Sequence, residues 1–396
     1  MINLALYIIV IPLTLVLFYY YFLAAVAYSN IGKPKKQSGS KHTKKFVIII
    51  PAHNEEKTLH TALDSCGNLE YQKTLFDVVV VADNCTDQTA NIARNYGALC
   101  LERHDNVKVG KGYALKWVLE HDLIRKYDAI VILDADCTLT SNALEIISNL
   151  LDSGHEVLQA KYTVSNPDDC PISYVSAIGS IIENDLFYSP KSKLNLSVFL
   201  RGTGMVFASE ILEKIPWSAH SIVEDVEYTM LLLENNIAVK FVDEVSVNSN
   251  FPTTIEQLRI QRIRWASGNI GIGKLHAIKW MINGLRTRNY RLFDAGWTFL
   301  TLSRPLLIFL LAMALGLGIT TIYLEPTFYS NLTLYYIIFL CFIYMFYILL
   351  GVFRLGINKS RLYLLAKSPL IIIELIVISV LGLFGVKQHE WSRTPR

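Results

Sequence analysis

Four long apolar stretches constrain this chain of 396 residues more than any other feature of its sequence. They cover residues 2–27, 305–324, 334–353 and 369–386, and together they contain a single charged residue, Glu374. A helix needs about 20 apolar residues to cross the hydrocarbon core of a bilayer. We therefore expect a multi-pass protein of the cell membrane, with an N-terminal transmembrane anchor (residues 1–28) and C-terminal membrane segments (residues 297–386). A cleaved signal peptide is the alternative for the first stretch, but no basic residues precede it.

Basic residues beside these stretches predict which parts of the chain face the cytoplasm. Six lysines lie in a linker over residues 29–45, and four more basic residues lie between positions 354 and 367. Because cationic loops stay on the cytoplasmic side, we expect both segments there. The tail, residues 387–396, is also basic, yet a complete final span would place it outside. Glu374 allows the last segment to be re-entrant instead of spanning the bilayer. Both sides of the membrane therefore remain possible for the tail.

The rest of the composition excludes several classes of protein. The net charge is only +3, so the basic surface of a nucleic-acid-binding protein is missing and we expect no nucleic-acid partner. The six cysteines are scattered without a Cys-x-x-Cys pair, which argues against a disulfide framework and against a zinc site. Reduced thiols in a cytoplasmic domain fit this pattern.

Residues 46–290 have the pattern of an α/β domain. Short β-branched runs begin near residues 46, 77 and 128, and helical patterns over 55–67, 86–96, 110–125 and 141–151 separate or follow them. Continuous apolar strands that alternate with helices predict a mostly parallel sheet covered on both faces. Ligands of such sheets bind beyond the carboxyl ends of the strands. Polar and acidic residues collect at those ends, in the segments 52–55, 83–87 and 134–136.

Asp134 and Asp136 are the first candidate site residues. They lie two positions apart at a strand end, so both carboxylates can approach one hard cation such as Mg²⁺ or Mn²⁺. Such an ion could neutralise a diphosphate as it leaves. The alternative is that the two acids only cap a loop, and one pair of this kind is expected by chance in a chain of this length.

Asp83 and Lys111 are weaker candidates for binding a nucleotide. Asp83 ends a predicted strand and could accept a hydrogen bond from a base or a ribose, or else cap the following helix. Lys111 stands between two glycines at a predicted helix start, where backbone amides and a cation can contact phosphate. An ordinary turn with an exposed lysine is the alternative for that segment.

Two further segments offer an acid at a helix start and a tight loop. Glu224 and Asp225 open a helical pattern, where a carboxylate could take the proton of an attacking hydroxyl or could simply balance the helix dipole. Arg201 and Gly202 belong to an Arg-Gly-Thr-Gly turn that permits close approach of the backbone to a ligand, or only reverses the chain.

Gln261, Arg264 and Trp265 occupy one face of a predicted helix, because they are spaced by three and four positions. The arginine could pair with a departing diphosphate, and the indole could stack on the apolar face of a sugar. A helix lying at the membrane surface also favours Arg and Trp, and we assign residues 256–296 to interfacial helices. The apolar stripe over 174–187 likewise fits a core helix or an interfacial one.

The order of these segments along the chain resembles one protein family. VIIIPAHNEE, VVVADNCTD, GKGYAL, ILDAD, FLRGTGM, VED and QRIRW follow each other over most of residues 46–265. This is similar to the membrane-bound family 2 glycosyltransferases, which include cellulose, chitin-oligosaccharide, hyaluronan and poly-N-acetylglucosamine synthases. The resemblance implies a GT-A-type fold over residues 46–255. It also implies inverting transfer from a nucleotide sugar, usually a UDP-sugar, with a divalent metal ion.

The resemblance further implies roles for individual residues. Asp225 would be the general base with Glu224 beside it, and the metal ion would bind Asp134 and Asp136. The Trp/Thr/Arg tail would resemble a gating segment of some relatives. The helix face named above would line the acceptor and diphosphate site, that is, Gln261, Arg264 and Trp265. The donor would be bound by Ala52, His53, Glu55, Asp83, Lys111, Asp134, Arg201 and Gly202.

The expected function is transfer of a sugar to a growing polysaccharide, an oligosaccharide or a glycolipid at the lipid bilayer. About four apolar segments are few for a single chain to enclose a polysaccharide channel. A first alternative is therefore a non-processive enzyme that adds one sugar to a lipid-linked acceptor. A second is a catalytically silent membrane scaffold, although it would not need both metal ligands and base. A homo-oligomer or an export partner is compatible with either enzyme.

Overall fold

A computed structural model describes residues 2–31, 43–301 and 303–384 of the chain. Most of the basic linker and all of the tail lie outside these described residues, and so do the predictions made for the tail. The helices of the described residues, in chain order, are α1 Ile2–Tyr28, α2 Leu59–Gly67, α3 Thr89–Asn95, α4 Lys111–Leu119, α5 Ala143–Asp152, α6 Pro171–Ile181, α7 Ser189–Lys193, α8 Ser209–Lys214, α9 Glu224–Glu234, α10 Ile255–Arg286, α11 Tyr290–Leu300, α12 Arg304–Leu324, α13 Phe328–Leu355 and α14 Lys359–Leu383.

The described residues build one eight-stranded sheet. Its strands are β1 Phe46–Ala52, β2 Phe76–Asp83, β3 Leu99–Arg103, β4 Ala129–Ile132, β5 Cys137–Leu139, β6 Val157–Val164, β7 Met205–Ala208 and β8 Val239–Ser249. They are ordered β3-β2-β1-β4-β7-β6-β8-β5 across the sheet. The pairs β1 with β2, β1 with β4, β2 with β3 and β6 with β8 are parallel, whereas β7 runs antiparallel to both its neighbours and β5 to β8. The predicted α/β class with a mostly parallel sheet is confirmed.

Strand β1 shows why both faces of the sheet are covered. Its side chains alternate between the faces, and all of the first five are fully buried. Val47 and Ile49 enter one hydrophobic core, while Phe46, Ile48 and Ile50 enter the other. A strand buried on both sides has no polar alternation, which explains the continuous apolar run in the sequence.

Several helices begin or end inside their predicted ranges. Helices α2 and α3 begin at Leu59 and Thr89, three or four residues later than predicted, because polar side chains hold the preceding turns. Asp87, for example, accepts a hydrogen bond from the Thr89 backbone N–H at 2.9 Å. Helix α4 ends at Leu119, and a 3-10 turn over Asp122–Lys126 replaces the rest of its predicted length. The turns before α2 and α3 directly follow β1 and β2, so they lie at the carboxyl edge of the sheet.

The apolar stripe over 174–187 is part of a core between the sheet domain and the long apolar helices. Helix α6 continues through a π-helical turn, Ile182–Tyr188, into α7. Ile182 is buried and packs on Gly351 of α13, where an added Cβ would lie 2.6 Å from Ile182 Cγ1. The π-helical turn also carries Glu183, Asn184 and Asp185, and such turns are often found at functional sites.

Four described helices are long and apolar enough to cross a membrane, namely α1, α12, α13 and α14. They coincide with the four predicted stretches, although α14 begins at Lys359 rather than near residue 369. The earlier start has a local cause, because the Asn358 side chain accepts a hydrogen bond from the Arg361 N–H at 2.8 Å. Pro369 then lies inside the continuous helix.

Glu374, the charged residue within the last apolar stretch, lies in α14 and pairs with Arg259 of α10. Arg259 Nη2 donates to Glu374 Oε2 at 2.8 Å, and a second hydrogen bond joins Arg259 Nε to the other carboxylate oxygen. The Glu374 side chain is only 13% exposed. The carboxylate thus contacts protein, and the pair anchors α10 to the apolar helices.

Candidate active site

The predicted nucleotide-binding residues lie side by side at the carboxyl edge of the parallel strands. Ala52 at the end of β1 is in register with Ala82, so Asp83 at the end of β2 lies beside His53. The His53 ring nitrogen Nδ1 is 2.7 Å from the Asp83 carbonyl oxygen. Asp134 follows β4, the other neighbour of β1. The structure therefore brings these residues to one edge, where the fold class places a ligand.

Asp83 is buried and paired with an arginine that the sequence analysis did not identify. Arg103 Nη1 donates to Asp83 Oδ1 at 2.6 Å, and Arg103 Nη2 donates to the Lys108 carbonyl at the same distance. Burial raises the pKa of Asp83 although Arg103 opposes that shift. The helix-capping alternative for Asp83 is wrong, because its carboxylate accepts hydrogen bonds from Arg103 and Asn84 and Gln88 is the N-cap of α3.

Glu55 shapes the same edge by joining two loops. Its backbone N–H donates to Thr89 Oγ1 at 2.8 Å, and its carboxylate accepts a hydrogen bond from Thr58 Oγ1 at 2.5 Å. The neighbouring Asn54 adopts a left-handed φ of 56° and accepts from the Thr86 N–H at 2.7 Å. These bonds fix the loops after β1 and β2 relative to each other.

Lys111 reaches from the first residue of α4 into a group of carboxylates. Its Nζ donates to Asp134 Oδ1 and, at 2.7 Å, to the Gly202 carbonyl. Burial alone would lower the pKa of Lys111, but the carboxylates of Asp134, Glu224 and Asp225 outweigh burial and the pKa is raised. The alternative of a turn with an exposed lysine is wrong, since this cation is held among acids.

Asp134 and Asp136 converge as a metal site requires. Their carboxylate oxygens and Cys137 Sγ lie within 4.8 Å of one another. The Asp134 N–H donates to Thr203 Oγ1 at 3.0 Å, and Ser249 Oγ donates to Asp136 Oδ2 at 2.8 Å. Burial raises the pKa of the Cys137 thiol well above its usual value. The two carboxylates suit a hard cation such as Mg²⁺ or Mn²⁺.

The loop that follows Arg201 passes between Lys111 and Asp225, the proposed base, at Gly202. Gly202 has a left-handed φ of 75°, and a Cβ on it would lie 3.4 Å from Lys111 Nζ and 3.5 Å from Asp225 Oδ2. Gln159 holds this loop, because it accepts from the Arg201 N–H at 2.9 Å. The absence of a side chain at Gly202 leaves space at the point where Lys111 and Asp225 meet.

Glu224 and Asp225 begin α9, as the sequence predicts. Asp225 Oδ1 accepts a hydrogen bond from the Val226 N–H at 2.8 Å. Burial raises the pKa of Asp225, and burial together with the Asp225 charge raises the pKa of Glu224. Gly112 of α4 allows this close packing, since its Cβ would lie 3.3 Å from Glu224 Cβ. A carboxyl group with a raised pKa is suited to accept a proton near neutral pH.

Helix α10 places its predicted face near the start of α9. Gly268 packs on Val223, the residue before Glu224, where an added Cβ would lie 2.6 Å from Val223 Cγ1. Gln261, Arg264 and Trp265 are all half-buried there. Arg262, which the sequence analysis passed over, lies with its guanidinium carbon 5.1 Å from the centre of the Trp265 ring.

Other site residues were also missed, and one class of signal could have found some of them. Gln159 interrupts an otherwise apolar stretch of β6 and is fully buried, with its amide donating to the Thr203 carbonyl at 2.9 Å. A polar residue in a buried strand indicates a structural hydrogen bond. Arg103 carries no such signal, because it ends the partly exposed strand β3 directly after another charged residue. Thr203 carries no such signal, because its role depends on contacts distant in sequence.

The sequence comparison identifies the family. The family described as "Glycosyltransferase like family 2" matches residues 43–268, which is more than half of the chain. Probable glycosyltransferase YdaM of Bacillus subtilis (strain 168) is 25% identical over 282 residues, covering 68% of this chain and 64% of that protein. Beta-monoglucosyldiacylglycerol synthase of Nostoc sp. (strain PCC 7120 / SAG 25.82 / UTEX 2576) is 26% identical, with coverages of 56% and 48%. The match thus spans about half to two thirds of these relatives.

A solved structure has the same fold over nearly the whole chain. Mannosyltransferase PcManGT from Pyrobaculum calidifontis, in complex with GDP-Man and Mn²⁺, superposes with a TM-score of 0.58 and is 18% identical. The match covers 95% of this chain and 99% of that one. The chain therefore has a GT-A-like fold, and because the family model matches more than half of its length it belongs to family 2 of the glycosyltransferases.

Proposed function

We propose that this enzyme adds a single sugar from a UDP-sugar to a lipid or glycolipid acceptor at the cytoplasmic face of the cell membrane, with inversion at the anomeric carbon. The meeting of Lys111, Asp134, Gly202 and Asp225 supports this proposal best. Lys111 bonds both Asp134 and the Gly202 carbonyl, and Asp225 Oδ2 lies near the Cβ position of the same glycine. Direct displacement needs these groups at one point, because the leaving diphosphate and the attacking hydroxyl flank one carbon.

The donor is proposed to bind along the carboxyl edge of the sheet. Ala52, His53, Glu55 and Asp83 would hold the nucleotide, as the family resemblance implies. Asp134 and Asp136 would hold Mg²⁺ or Mn²⁺, which neutralises charge on a diphosphate when bound. Lys111 would supply a second positive charge to the leaving group from the protein itself.

The acceptor hydroxyl is proposed to give its proton to Asp225. Asp225 Oδ1 is occupied by the Val226 N–H, and Oδ2 is the oxygen that lies near the Cβ position of Gly202. Burial raises the pKa of Asp225, and the charge of Asp134 adds to this effect. Arg264 and Trp265 on α10 would contact the diphosphate and the sugar ring.

Two features favour a lipid acceptor over a growing polysaccharide. The long apolar helices pack directly on the catalytic domain, with α13 against the π-helical turn and α14 against α10. Their outer faces carry large exposed apolar side chains such as Phe328, Phe342 and Leu370, as expected of helices that face lipid. We also propose that α10 and α11 lie at the membrane surface.

A donor panel tests the proposal. The full chain in nanodiscs made from bacterial lipid extract would be incubated with Mn²⁺ and UDP-glucose, UDP-N-acetylglucosamine or GDP-mannose, and lipid products would be analysed by mass spectrometry. We expect one sugar per lipid with a UDP-sugar, and no product from an Asp225→Asn preparation. A ladder of chain lengths would show a polymerase instead. Binding of donor without any transfer to lipid or to water would support a scaffold.

A further inference from the structure

Three arginines surround one glutamate beside the proposed acceptor site. Arg304 Nη2 donates to Glu183 Oε2 at 2.9 Å. The guanidinium of Arg201 lies over the rings of Tyr162 and Tyr188, at 5.3 and 5.7 Å from their centres. We call Glu183, Arg201, Arg262 and Arg304 the arginine cluster. Its members come from the π-helical turn, the loop before β7, and helices α10 and α12.

The arginine cluster has two more positive charges than negative ones. Among the described residues, Arg201 and Arg262 have no carboxylate within ion-pair distance, and the Arg262 Nε atom is buried without a hydrogen-bond partner. Burial and the nearby Arg304 charge lower the pKa of Arg262 despite the opposing effect of Glu183. All four residues are half-buried, and an excess of positive charge that is partly removed from water is costly unless an anion compensates it.

A neighbouring charged network provides an internal comparison. Lys161 bonds both Asp185 and Asp243 at 2.8 Å, and Arg354 approaches Asp185 at 3.1 Å. That network contains two cations and two anions and is complete in itself. The arginine cluster, whose Glu183 belongs to the same π-helical turn, instead has three cations and one anion.

The location of the arginine cluster indicates which anion fits it. Arg304 is the first residue of α12, and the Tyr344 hydroxyl of α13 donates to its carbonyl at 3.0 Å, so one side of the cluster belongs to the apolar helices. Arg201 precedes Gly202, so the other side adjoins the meeting point of Lys111 and Asp225. The Arg304 side chain remains 27% exposed, which leaves the cluster accessible.

We propose that the arginine cluster binds the phosphate of the acceptor's lipid headgroup and thereby selects phosphate-bearing lipids over neutral ones. Guanidinium groups bind phosphate through paired hydrogen bonds. A phosphate would supply negative charge to balance the arginines that Glu183 alone does not neutralise. A headgroup held at the start of α12 keeps its acyl chains beside the apolar helices and its hydroxyl end toward Asp225. This inference rests on the proposed lipid acceptor.

Direct binding tests the cluster without requiring transfer. The full chain in detergent would be titrated with phosphatidic acid or with diacylglycerol of the same acyl chains, and lipid-bound protein would be quantified by native mass spectrometry. We expect clear preference for phosphatidic acid, weakened about tenfold by Arg262→Gln and by Arg304→Gln. Arg286→Gln, which removes an exposed charge from the same helix α10, should bind like the unaltered chain.

Two further measurements separate this role from a structural one. Glu183→Gln should tighten phosphatidic acid binding at least threefold, because it removes the only negative charge of the arginine cluster. A loss of folding would weaken binding instead, and melting temperatures would detect it. Calorimetry with UDP and Mn²⁺ should give unchanged affinity in Arg262→Gln.

Three results would overturn the inference. The first is that phosphatidic acid and diacylglycerol bind equally well. The second is that the arginine variants bind UDP more weakly but still bind the lipid normally. The third is that free inorganic phosphate displaces phosphatidic acid at the same concentration as the lipid. The second would assign the arginines to the leaving diphosphate, and the third would indicate a site for a soluble anion. A lipid preference without any sugar transfer would refute the proposed function but keep the anion site.

Discussion

Replacing Asp225 by Asn should remove the general base and leave the site otherwise intact. Asn has nearly the same shape, and its carbonyl oxygen can still accept the hydrogen bond that Asp225 Oδ1 receives from the Val226 N–H. The group near Gly202 becomes an amide, which does not accept a proton. We expect kcat to fall about 10²- to 10⁴-fold, equivalent to about 3 to 5.5 kcal/mol of activation free energy. Affinity for UDP should change less than threefold.

Glu227→Gln is the matched control for this variant. It removes the same charge from the same helix, and Gln can still accept the hydrogen bonds that Glu227 Oε2 receives from the His220 and Ser221 N–H groups at 3.0 and 2.9 Å. Initial rates of transfer to lipid, measured at saturating donor, would compare the two variants. Activity of Asp225→Asn within threefold of the unaltered enzyme would refute the role of Asp225.

The pH profile gives a second test of the same residue. An exposed aspartate has a pKa of about 3.9, and burial raises the pKa of Asp225. A base works only when ionised, so activity is present above the raised pKa and is lost as the pH falls through it. We therefore expect kcat to decline on the acid side well above pH 4. The residual activity of Asp225→Asn should lack that decline.

The remaining predictions concern stability and the metal ion. Lys191 is fully buried and pairs with Asp294 at 2.8 Å, so Lys191→Met should lower the free energy of unfolding by about 3 to 5 kcal/mol. Thermal unfolding in detergent would measure this, and an unchanged melting temperature would contradict it. Gly204→Ala should also unfold at a lower temperature, since φ is +65° and the new Cβ would lie 2.8 Å from Val247 Cγ2. Removal of metal ions with a chelator should abolish transfer. In Asp136→Asn, the Mn²⁺ concentration that restores half of the activity should be at least tenfold higher. Activity in excess chelator would refute the role of the metal ion.

Local patterns in the sequence were enough to predict much of the fold. The uncharged stretches predicted α1, α12 and α13 closely, because length and apolarity alone decide whether a helix can cross a bilayer. The runs before residues 52, 83 and 134 predicted the parallel strands, since strands buried on both faces are continuously apolar. The topology of parallel sheets then predicted that the acids at the strand ends lie together at the carboxyl edge.

The antiparallel strand β7 and the arginine cluster could not be predicted in this way. Strand β7 is only four residues long, and its position between β4 and β6 is set by pairing with strands distant in sequence. Arg262 lay inside the recognised QRIRW segment, but its proximity to Glu183 depends on the tertiary arrangement of α10 and the π-helical turn. Charge balance in three dimensions has no counterpart in a local sequence pattern.

The stereochemistry of the product tests the proposed mechanism most directly. A single displacement, with Asp225 behind the acceptor hydroxyl and the diphosphate leaving opposite, inverts the anomeric carbon. The glycolipid formed from the donor sugar that the panel identifies would be purified, and its anomeric proton coupling would be measured by NMR. An α-linked donor such as UDP-glucose should give a β-linked product. An α-linked product would contradict the single displacement and the role assigned to Asp225.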